Sequence, residues 1–420
     1  MRILHVSWEY PPVIYGGLGR HVHALAEEEA RAGHDVWVLT QQPPGTPIAE
    51  TINGVHLIRV PPPLPDVPRE PGALVEWVEG LDSSMADVAA RVVSETQFDV
   101  VHAHDWVVTT TARAVRIAGD APLVSTFHAT EAGRHQGWIS GDISHHIHAL
   151  EYQLAHLSQR IITCSTAMRR DVSTLFGVDR DAVDVVPNGI DLDAWTVPEQ
   201  DTEAARQRWC PSGTLGVFVG RLEWEKGIHT LLDALPLVAT TDLHIVIAGT
   251  GTYESKLLEK AAPLLAQERV TFTGWLPENE LRALQSAADV IVVPSLYEPF
   301  GLVALEAGAL GIPAVVADTG GLSDIVDHGR SGHLFEAGNP VALAQAIDHA
   351  LCDRADTAER LARMARRLRA NYQWDSVALE TIKTYRHAID EARVSRRATH
   401  VVAPEPRTTN LLDPLTGSGT

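Results

Sequence analysis

Short apolar runs recur along the first half of the chain, and segments with helical spacing of apolar residues lie between them. Six runs predict strands, at residues 3–6, 36–39, 55–60, 100–102, 123–127 and 160–164, with 55–60 expected at an edge. Helices are predicted at 20–31, from the proline-rich loop 61–71 to about 96, and at 145–158. Strands that alternate with helices indicate a parallel sheet covered on both faces.

The same pattern restarts in the second half. Residues 184–191 end in a turn-rich stretch that we interpret as a domain connection. Strands are then predicted at 215–219, 243–248, 270–272, 290–293 and 314–316, with a helix at 227–239. The chain is therefore expected to be an α/β protein with two doubly wound, Rossmann-like domains, at 1–187 and 188–373, that face a cleft. Ligands of such folds bind beyond the carboxyl ends of the strands.

The C-terminal segment changes character. Residues 374–395 have the spacing of an amphipathic helix. Residues 396–420 are rich in Thr, Pro, Ser and Gly and have no clear periodicity, so they predict a disordered tail.

Composition and charge narrow the function classes. The chain has 420 residues, 45% hydrophobic and 21% charged, which suits a globular protein of two domains. The formal net charge of −20 argues against a general nucleic-acid binder, because phosphate backbones require clustered Lys and Arg. No apolar run is long enough for a signal peptide or a membrane span, so we expect a cytoplasmic protein and leave peripheral membrane contact open.

The cysteines and histidines give no metal-binding pattern. The three cysteines lie far apart and form neither a CxxC motif nor a Cys/His cluster, which argues against a zinc site and a disulfide framework. His145, His146 and His148 are close in sequence, but this spacing does not aim three ligands at one point on a helix. We therefore predict no metal.

Two glutamates bracket a glycine turn late in the chain, in Glu298-Pro-Phe-Gly-Leu-Val-Ala-Leu-Glu306. Backbone amides near Gly301 can begin a helix, where unpaired N–H groups attract anions. A carboxylate on each side of an anion site suits a ligand with phosphate in the middle and hydroxyl groups at both ends, as in a nucleotide sugar. The alternative is a solvated helix start with two surface acids.

Two cations and a glycine loop also lie between predicted strands and helices. Arg221 and Lys226 follow the strand 215–219, where together they can neutralise a diphosphate, although they could also be surface cations. Tyr15-Gly-Gly-Leu-Gly19 follows the first strand, and its glycines allow backbone to approach a phosphate. It is not a full G-x-G-x-x-G motif, because Val22 occupies the last place.

Taken in order, these motifs resemble those of the retaining GT-B glycosyltransferases of family 4, and most closely the glycogen-synthase-like members. The resemblance covers residues 1–393 and also includes Pro-Asn188-Gly-Ile-Asp and Gly320-Gly321-Leu. Glu-Tyr-Pro-Pro at 9–12 and His-Ala-His-Asp-Trp at 102–106 look especially like bacterial α-glucan synthases. The resemblance implies that the C-terminal helix crosses back to the first domain.

The resemblance also implies a role for each matching residue. His128, Glu298, Arg221, Lys226 and Asp105 are the implied catalytic residues: Arg221 and Lys226 hold the diphosphate, Glu298 and His128 contact the sugar, and Asp105 approaches the sugar or acceptor. The implied donor-binding residues are Gly16, Gly17, Asn188, Gly249, Trp275, Leu276, Phe300, Gly301, Leu302 and Glu306, with Glu306 on the ribose. Gly320 and Gly321 are expected to close the pocket.

The expected function is retaining transfer of glucose from ADP- or UDP-glucose to an α-1,4-glucan or related acceptor. The nucleotide diphosphate sugar is the co-substrate, and the resemblance implies neither a further cofactor nor a metal. Many bacterial glycogen synthases carry Lys where this chain has Tyr15, and Tyr where it has Glu306. Both departures look more like maltose-1-phosphate synthases and actinobacterial glucan elongators. Transfer to glucose 1-phosphate is therefore an alternative, as is another sugar or acceptor, for example in a mannosyltransferase.

Two other classes fit less well. An NAD-dependent oxidoreductase would need an acidic residue at the end of the second strand, where this chain has Thr40 and Gln41. A non-catalytic sugar-binding protein would not be expected to carry both Arg221 and Lys226.

Overall fold

Two parallel sheets form the framework of the molecule. The structure, a computed structural model, describes residues 1–401 apart from 65, 66, 69 and 353. The first sheet contains eight strands: β1 (Arg2–Val6), β2 (Asp35–Gln41), β3 (Ala49–Ile52), β4 (Val55–Val60), β5 (Val100–His104), β6 (Leu123–Phe127), β7 (Arg160–Thr163) and β8 (Val183–Val185). Their order is β3-β4-β2-β1-β5-β6-β7-β8, and only β3 pairs antiparallel to its neighbour.

The second sheet is parallel throughout. It contains β9 (Thr214–Val219), β10 (Leu243–Ala248), β11 (Val270–Gly274), β12 (Val290–Val293), β13 (Ala314–Ala317) and β14 (His333–Phe335), in the order β11-β10-β9-β12-β13-β14. Its central strands are continuous apolar runs because helices cover both faces, so both sets of side chains are buried. The two sheets confirm the predicted fold class.

Fifteen α-helices connect and cover the strands in the described residues. They are α1 (Gly17–Arg31), α2 (Pro71–Glu95), α3 (Thr109–Ala118), α4 (Glu131–Arg134), α5 (Gly141–Leu157), α6 (Thr166–Phe176), α7 (Glu199–Trp209), α8 (Ile228–Ala234), α9 (Glu254–Ala266), α10 (Glu278–Ser286), α11 (Leu302–Leu310), α12 (Leu322–Ile325), α13 (Pro340–Cys352), α14 (Arg354–Asn371) and α15 (Trp374–Val401). Among them, no helix has the length and apolar character needed to cross a membrane.

The strand prediction missed three short strands, β3, β8 and β14. Two of them have only three residues, and β3 is mostly exposed, so none carries a clear apolar pattern. Because β3 pairs with β4, the prediction that 55–60 forms an edge is wrong. The predicted domain boundary after residue 187 lies in the segment that joins β8 to β9 and stays a prediction.

The long C-terminal helix α15 returns to the first domain, as predicted. It packs against α1 and against β5, β6 and β7. The Tyr385 hydroxyl is fully buried and hydrogen-bonded to His102 Nδ1 at 2.7 Å. Arg160 donates to both Asp184 oxygens, at 2.9 and 2.8 Å, and to Glu391 at 2.8 Å. A buried hydrogen bond and an ion-pair network therefore hold this helix on the first sheet.

The end of α15 corrects the sequence prediction. The helix continues to Val401, so residues 396–401 are helical and not part of a tail. These residues contain neither Gly nor Pro, and the first helix breaker is Pro404. The remainder of the predicted tail, 402–420, lies outside the described residues.

We expect Tyr385→Phe to destabilise the protein by about 1–3 kcal/mol, because His102 Nδ1 would lose its buried partner. Urea denaturation followed by circular dichroism measures the effect. Tyr152→Phe is the matched control, since Tyr152 is 48% exposed. Equal midpoints for the two variants would show that the hydroxyl of Tyr385 does not anchor the helix.

Candidate functional site

The loops at the carboxyl ends of the two sheets face each other and touch across the cleft. A Cβ atom placed on Gly17 would lie 3.3 Å from Leu302 Cδ1, so the predicted glycine loop lies directly opposite the predicted donor motif. The Tyr297 hydroxyl accepts a hydrogen bond from the Thr130 amide at 3.2 Å. Elements of both domains therefore form one continuous site.

Glu9 organises the glycine loop. Its Oε2 accepts hydrogen bonds from the amides of Tyr15 and Gly16, at 2.8 and 3.1 Å. A Cβ atom at Gly19 would lie 2.7 Å from the same oxygen, which explains the third glycine. Helix α1 begins at Gly17, three residues before the predicted start, and has no side-chain cap. Glu9 also hydrogen-bonds the Gly19 amide, so the amides of Gly17 and Leu18 are the ones that an anionic ligand would meet first.

Lys226 and Glu298 form an ion pair at the centre of the predicted donor site. Lys226 Nζ lies 2.8 Å from Glu298 Oε2, and both side chains are mostly buried. Ser295 Oγ donates to the same carboxylate oxygen at 3.2 Å. Arg221 is more exposed and pairs with Glu225 at 2.9 Å. Of the two residues predicted to bind the diphosphate, Lys226 is thus held in place by its ion pair, whereas the Arg221 side chain is largely exposed to solvent.

Close backbone contacts fix the position of this ion pair. Lys226 ends a 3₁₀ turn that is followed by Gly227, which has a φ of +67°, and a methyl group there would overlap the carbonyl oxygen of Pro294. Gly320 has a φ of +55° and lies equally close to the carbonyl oxygen of Glu298. The Gly321 amide donates to that oxygen at 2.9 Å. Gly320 and Gly321 therefore pack against the backbone of the Glu298 segment and hold it in position.

Glu306 is buried on α11, which argues against the alternative that it is a solvated surface acid. Gln285 Nε2 donates to its Oε2 at 3.3 Å. Burial raises the pKa of Glu306 to about 7, and the attraction of Arg20 and Arg282 opposes that rise. Arg20 belongs to α1 of the first domain, so the electrostatic environment of Glu306 includes both sides of the cleft.

Asp105 supports the loop that carries His128. It follows β5 with a φ of +61°, which is uncommon for a residue other than glycine, and its Oδ1 accepts from the His128 amide at 2.8 Å. Burial raises the pKa of Asp105 to about 7. The structure thus places Asp105 behind His128, where it holds the backbone. Its predicted approach to the sugar or acceptor stays a prediction.

A cluster of histidines extends inward from His128. His128 Nε2 lies 3.3 Å from His104 Nδ1, and His104 Nε2 lies 3.1 Å from His5 Nδ1. His21 Nδ1 lies 2.8 Å from Asn188 Oδ1, which links the first helix to the predicted residue Asn188. This cluster was not predicted from the sequence. Its signal was the presence of histidines inside apolar strand runs, at positions 5, 102 and 104.

Two groups of three histidines in this cluster bring their ring nitrogens close enough to hold a metal ion. One group is His5, His102 and His104, and the other is His21, His104 and His128. Both ring nitrogens of His5, His102 and His104 already have hydrogen-bonding partners. The three histidines that are close in sequence on α5 are directed to three different groups: His145 to the Gly141 carbonyl, His146 to Glu79 and His148 to Glu151.

The remaining predicted residues occupy the loops of the second domain. Gly249 follows β10, and a methyl group there would overlap the carbonyl oxygen of Gly220. Trp275 is 73% exposed after β11, with Leu276 partly buried beside it. The Phe300 side chain is buried in the core, so only its backbone is available to a ligand. Whether these residues contact a donor stays a prediction.

The comparisons with known proteins agree with this arrangement. Residues 15–194 match the model described as Glycosyltransferase Family 4, and residues 200–368 match Glycosyl transferases group 1. Glycogen synthase of Mycobacterium tuberculosis (strain ATCC 25618 / H37Rv) is 41% identical over 402 residues, which cover 92% of this chain and 94% of that protein. The chain belongs to the GT-B glycosyltransferases of family 4.

Two further relatives of this glycosyltransferase differ in the activity that their names state. The D-inositol 3-phosphate glycosyltransferase of Pseudarthrobacter chlorophenolicus is 30% identical over 415 residues, 94% of each protein. Among solved structures, sucrose-phosphate synthase from Thermosynechococcus elongatus has a TM-score of 0.74 at 25% identity, covering 93% of this chain and 99% of that one. Family membership thus defines the class of reaction and leaves the acceptor to be determined.

We expect Glu306→Gln to stabilise the ligand-free glycosyltransferase at pH values above 7. The pKa of Glu306 is raised on folding, so the folded protein binds its proton more tightly and loses stability as pH rises from about 4.5 through 7. Removing that ionisation should add on the order of 2–3 kcal/mol at about pH 8 and little at about pH 4.5.

Chemical denaturation at the two pH values measures the difference. Glu259→Gln, at an exposed position on α9, is the matched control. A Glu306→Gln variant that is less stable than the wild type at about pH 8 would contradict the assignment.

Proposed function

We propose that this protein is a retaining glucosyltransferase that moves glucose from ADP- or UDP-glucose to an α-1,4-glucan or a related acceptor. The observation that carries the proposal is the Lys226–Glu298 ion pair, held across the cleft from the start of α1 in a chain 41% identical to a glycogen synthase. A cation, a carboxylate and a helix N-terminus at one place suit a sugar attached to a diphosphate.

The diphosphate would bind between the two domains. Lys226 and Arg221 would approach it from the second domain, and the first amides of α1, beginning near Gly17, would approach it from the first. These groups stabilise the negative charge that grows on the departing nucleoside diphosphate, which is catalysis by preorganised electrostatics. When a donor binds, Lys226 would turn toward a phosphate oxygen and leave the Glu298 carboxylate free to accept hydrogen bonds from sugar hydroxyl groups.

The other end of the donor would lie along α11. The buried Glu306 carboxylate would accept hydrogen bonds from the ribose hydroxyls, and those bonds would favour its ionised form. The base would lie near Gly249 and the loop that carries Trp275 and Leu276. Glu298 and Glu306 then bind opposite ends of the same ligand.

Transfer with retention can proceed without a side-chain nucleophile. The bond between the anomeric carbon and the diphosphate oxygen breaks, and the acceptor oxygen attacks from the same face. The acceptor proton passes to the departing diphosphate oxygen, so atoms and charge balance. In this proposal the protein supplies position and electrostatics, and no metal ion is required.

Contacts between the domains would exclude water during the reaction. Besides Tyr297 and Thr130, the Thr166 amide donates to Asp324 Oδ2 at 2.6 Å, and Cys164 Sγ lies 3.4 Å from the Pro299 carbonyl oxygen. These few polar contacts can break and re-form as the cleft opens for substrate and closes over it.

A small phosphorylated acceptor is the second candidate. It is supported by the relative named D-inositol 3-phosphate glycosyltransferase, at 30% identity, and by Tyr15 and Glu306, which resemble the pattern of maltose-1-phosphate synthases. The chemistry at the donor would be the same, and only the group that attacks the anomeric carbon would differ.

A substrate panel tests the proposal. The protein is incubated with ADP-glucose, UDP-glucose or GDP-mannose, each with maltooligosaccharide, glucose 1-phosphate or D-inositol 3-phosphate, with and without EDTA, and diphosphate release is measured. We expect release from a glucose donor with maltooligosaccharide, unaffected by EDTA, and an α-linked product by proton NMR. Turnover only with GDP-mannose, or a complete loss in EDTA that added metal restores, would contradict the proposal.

We expect Lys226→Met and Glu298→Gln each to lower kcat/KM by about 100-fold or more, because each removes a charge at the reacting bond. Steady-state kinetics measure the loss, and circular dichroism checks the fold. Lys260→Met is the control, since Lys260 forms an ion pair with Asp233 on the surface of the same domain. Near-normal turnover by either site variant would exclude the assigned role.

A further inference from the structure

A chain of hydrogen bonds connects the candidate sugar site to a buried carboxylate in the first domain. It begins at Glu29 on α1, whose Oε2 lies 2.7 Å from His5 Nε2. It continues from His5 Nδ1 to His104 Nε2 at 3.1 Å, and from His104 Nδ1 to His128 Nε2 at 3.3 Å. Glu29, His5 and His104 are fully buried, and only His128 is partly exposed.

Protonation restricts how this chain can be arranged. Burial lowers the pKa of His104 and of His128 well below the usual range, so both rings are neutral near pH 7. A neutral imidazole has one N–H group and one acceptor nitrogen. His104 uses both nitrogens inside the chain, so it must donate at one end and accept at the other.

The carboxylate sets the direction. We assign His5 as a neutral ring with its proton on Nε2, facing the Glu29 carboxylate, which leaves His5 Nδ1 as an acceptor. His104 must then donate from Nε2, which leaves its Nδ1 to accept from Nε2–H of His128. Each ring fixes the tautomer of the next, and Nδ1 of His128 remains as the acceptor. A doubly protonated His5 would instead donate from Nδ1 and reverse the direction of each later hydrogen bond.

Neighbouring groups hold the ring planes. His102 lies 4.1 Å from His104 between ring centroids and is itself held by the Tyr385 hydroxyl and Thr126 Oγ1, both at 2.7 Å. The His21 ring meets the His128 ring edge-on at 4.8 Å. The rings therefore have little freedom to turn and break the chain.

We propose that Glu29 and His5 are positioning residues, which act through His104 to fix the tautomer and the orientation of His128. This inference rests on the proposed function in one respect, namely that His128 lines the glucose pocket. An acceptor nitrogen in that pocket can receive a hydrogen bond from a sugar hydroxyl and so align the ring of the donor for transfer. The Glu29 carboxylate thus influences the proposed sugar site through the chain of histidines, without contacting the sugar itself.

Nitrogen NMR on the wild-type protein tests the tautomer without any substrate. Full-length protein labelled with nitrogen-15 histidine is measured at about pH 8, where ordinary histidines are neutral. His104→Gln and His128→Gln identify the two resonance sets by their loss. We expect both rings to carry the proton on Nε2. Protons on Nδ1 in either ring would overturn the proposal.

Glu29→Met tests whether the carboxylate controls the reaction. It removes the acceptor at a similar side-chain size, so we expect kcat to fall by about 10–100-fold, the range found for carboxylates that orient metal-bound histidines. The KM for the donor should change by less than about threefold, because the proposed contacts to the diphosphate and the ribose are retained. The nitrogen spectrum of His128 should shift toward a mixture of tautomers.

Glu28→Met is the matched control, because Glu28 is the adjacent residue on α1 and pairs with Arg31 outside the histidine chain. It should leave kcat and the spectrum unchanged. A folded Glu29→Met variant with the kcat and the His128 spectrum of the wild type would overturn the proposal. If that variant does not fold, the wild-type spectrum alone decides, and a wrong choice of substrate cannot affect that result.

Discussion

The geometry of the predicted donor site depends on backbone packing against backbone at the carboxyl edge of the second sheet. Gly227 lies against Pro294, Gly249 against Gly220, and Gly320 against Glu298, and at each position a methyl group would overlap a carbonyl oxygen. Because these loops have no side chain between them, they cannot shift independently. This packing fixes the backbone segments that carry Lys226 and Glu298, so their side chains meet at 2.8 Å although they are 72 residues apart in sequence. Any larger residue at these glycines would move the pair.

In the first domain, buried polar side chains and not backbone contacts hold the loops of the cleft. Its side of the cleft is fixed by polar groups: Glu9 holds the glycine loop, Asp105 holds the loop of His128, and the histidine chain runs back to Glu29. Helix α15 closes this arrangement, since Tyr385 holds His102, the neighbour of His104. The helix that ends the described chain therefore reaches the interior of the first domain, next to the predicted sugar site. Loss of that helix would therefore disturb the histidines near the predicted sugar site and also lower the stability of the protein.

The sequence predicted the fold class, and it placed Lys226 and Glu298 on loops that the structure brings together, because both inferences depend on local patterns. Apolar runs located most of the strands. Lys226 follows β9 and Glu298 follows β12, and because these two parallel strands are neighbours, the two residues come together. The buried polar network was not predicted, since it depends on strand order. His5 meets His102 because β1 lies beside β5, and this pairing joins residues 97 positions apart. The environment of Glu306 likewise depends on Gln285 of α10, which donates to its carboxylate, and on the charge of Arg20 in the other domain, which lowers its pKa.

A structure of the protein with an uncleaved nucleotide sugar, ADP-glucose or UDP-glucose, tests the central claim most directly. The account predicts the diphosphate between Lys226, Arg221 and the amide of Gly17, the glucose ring between Glu298 and His128, and the ribose at Glu306. A donor bound within the second domain alone, with its diphosphate away from Lys226 or its ribose away from Glu306, would contradict the account.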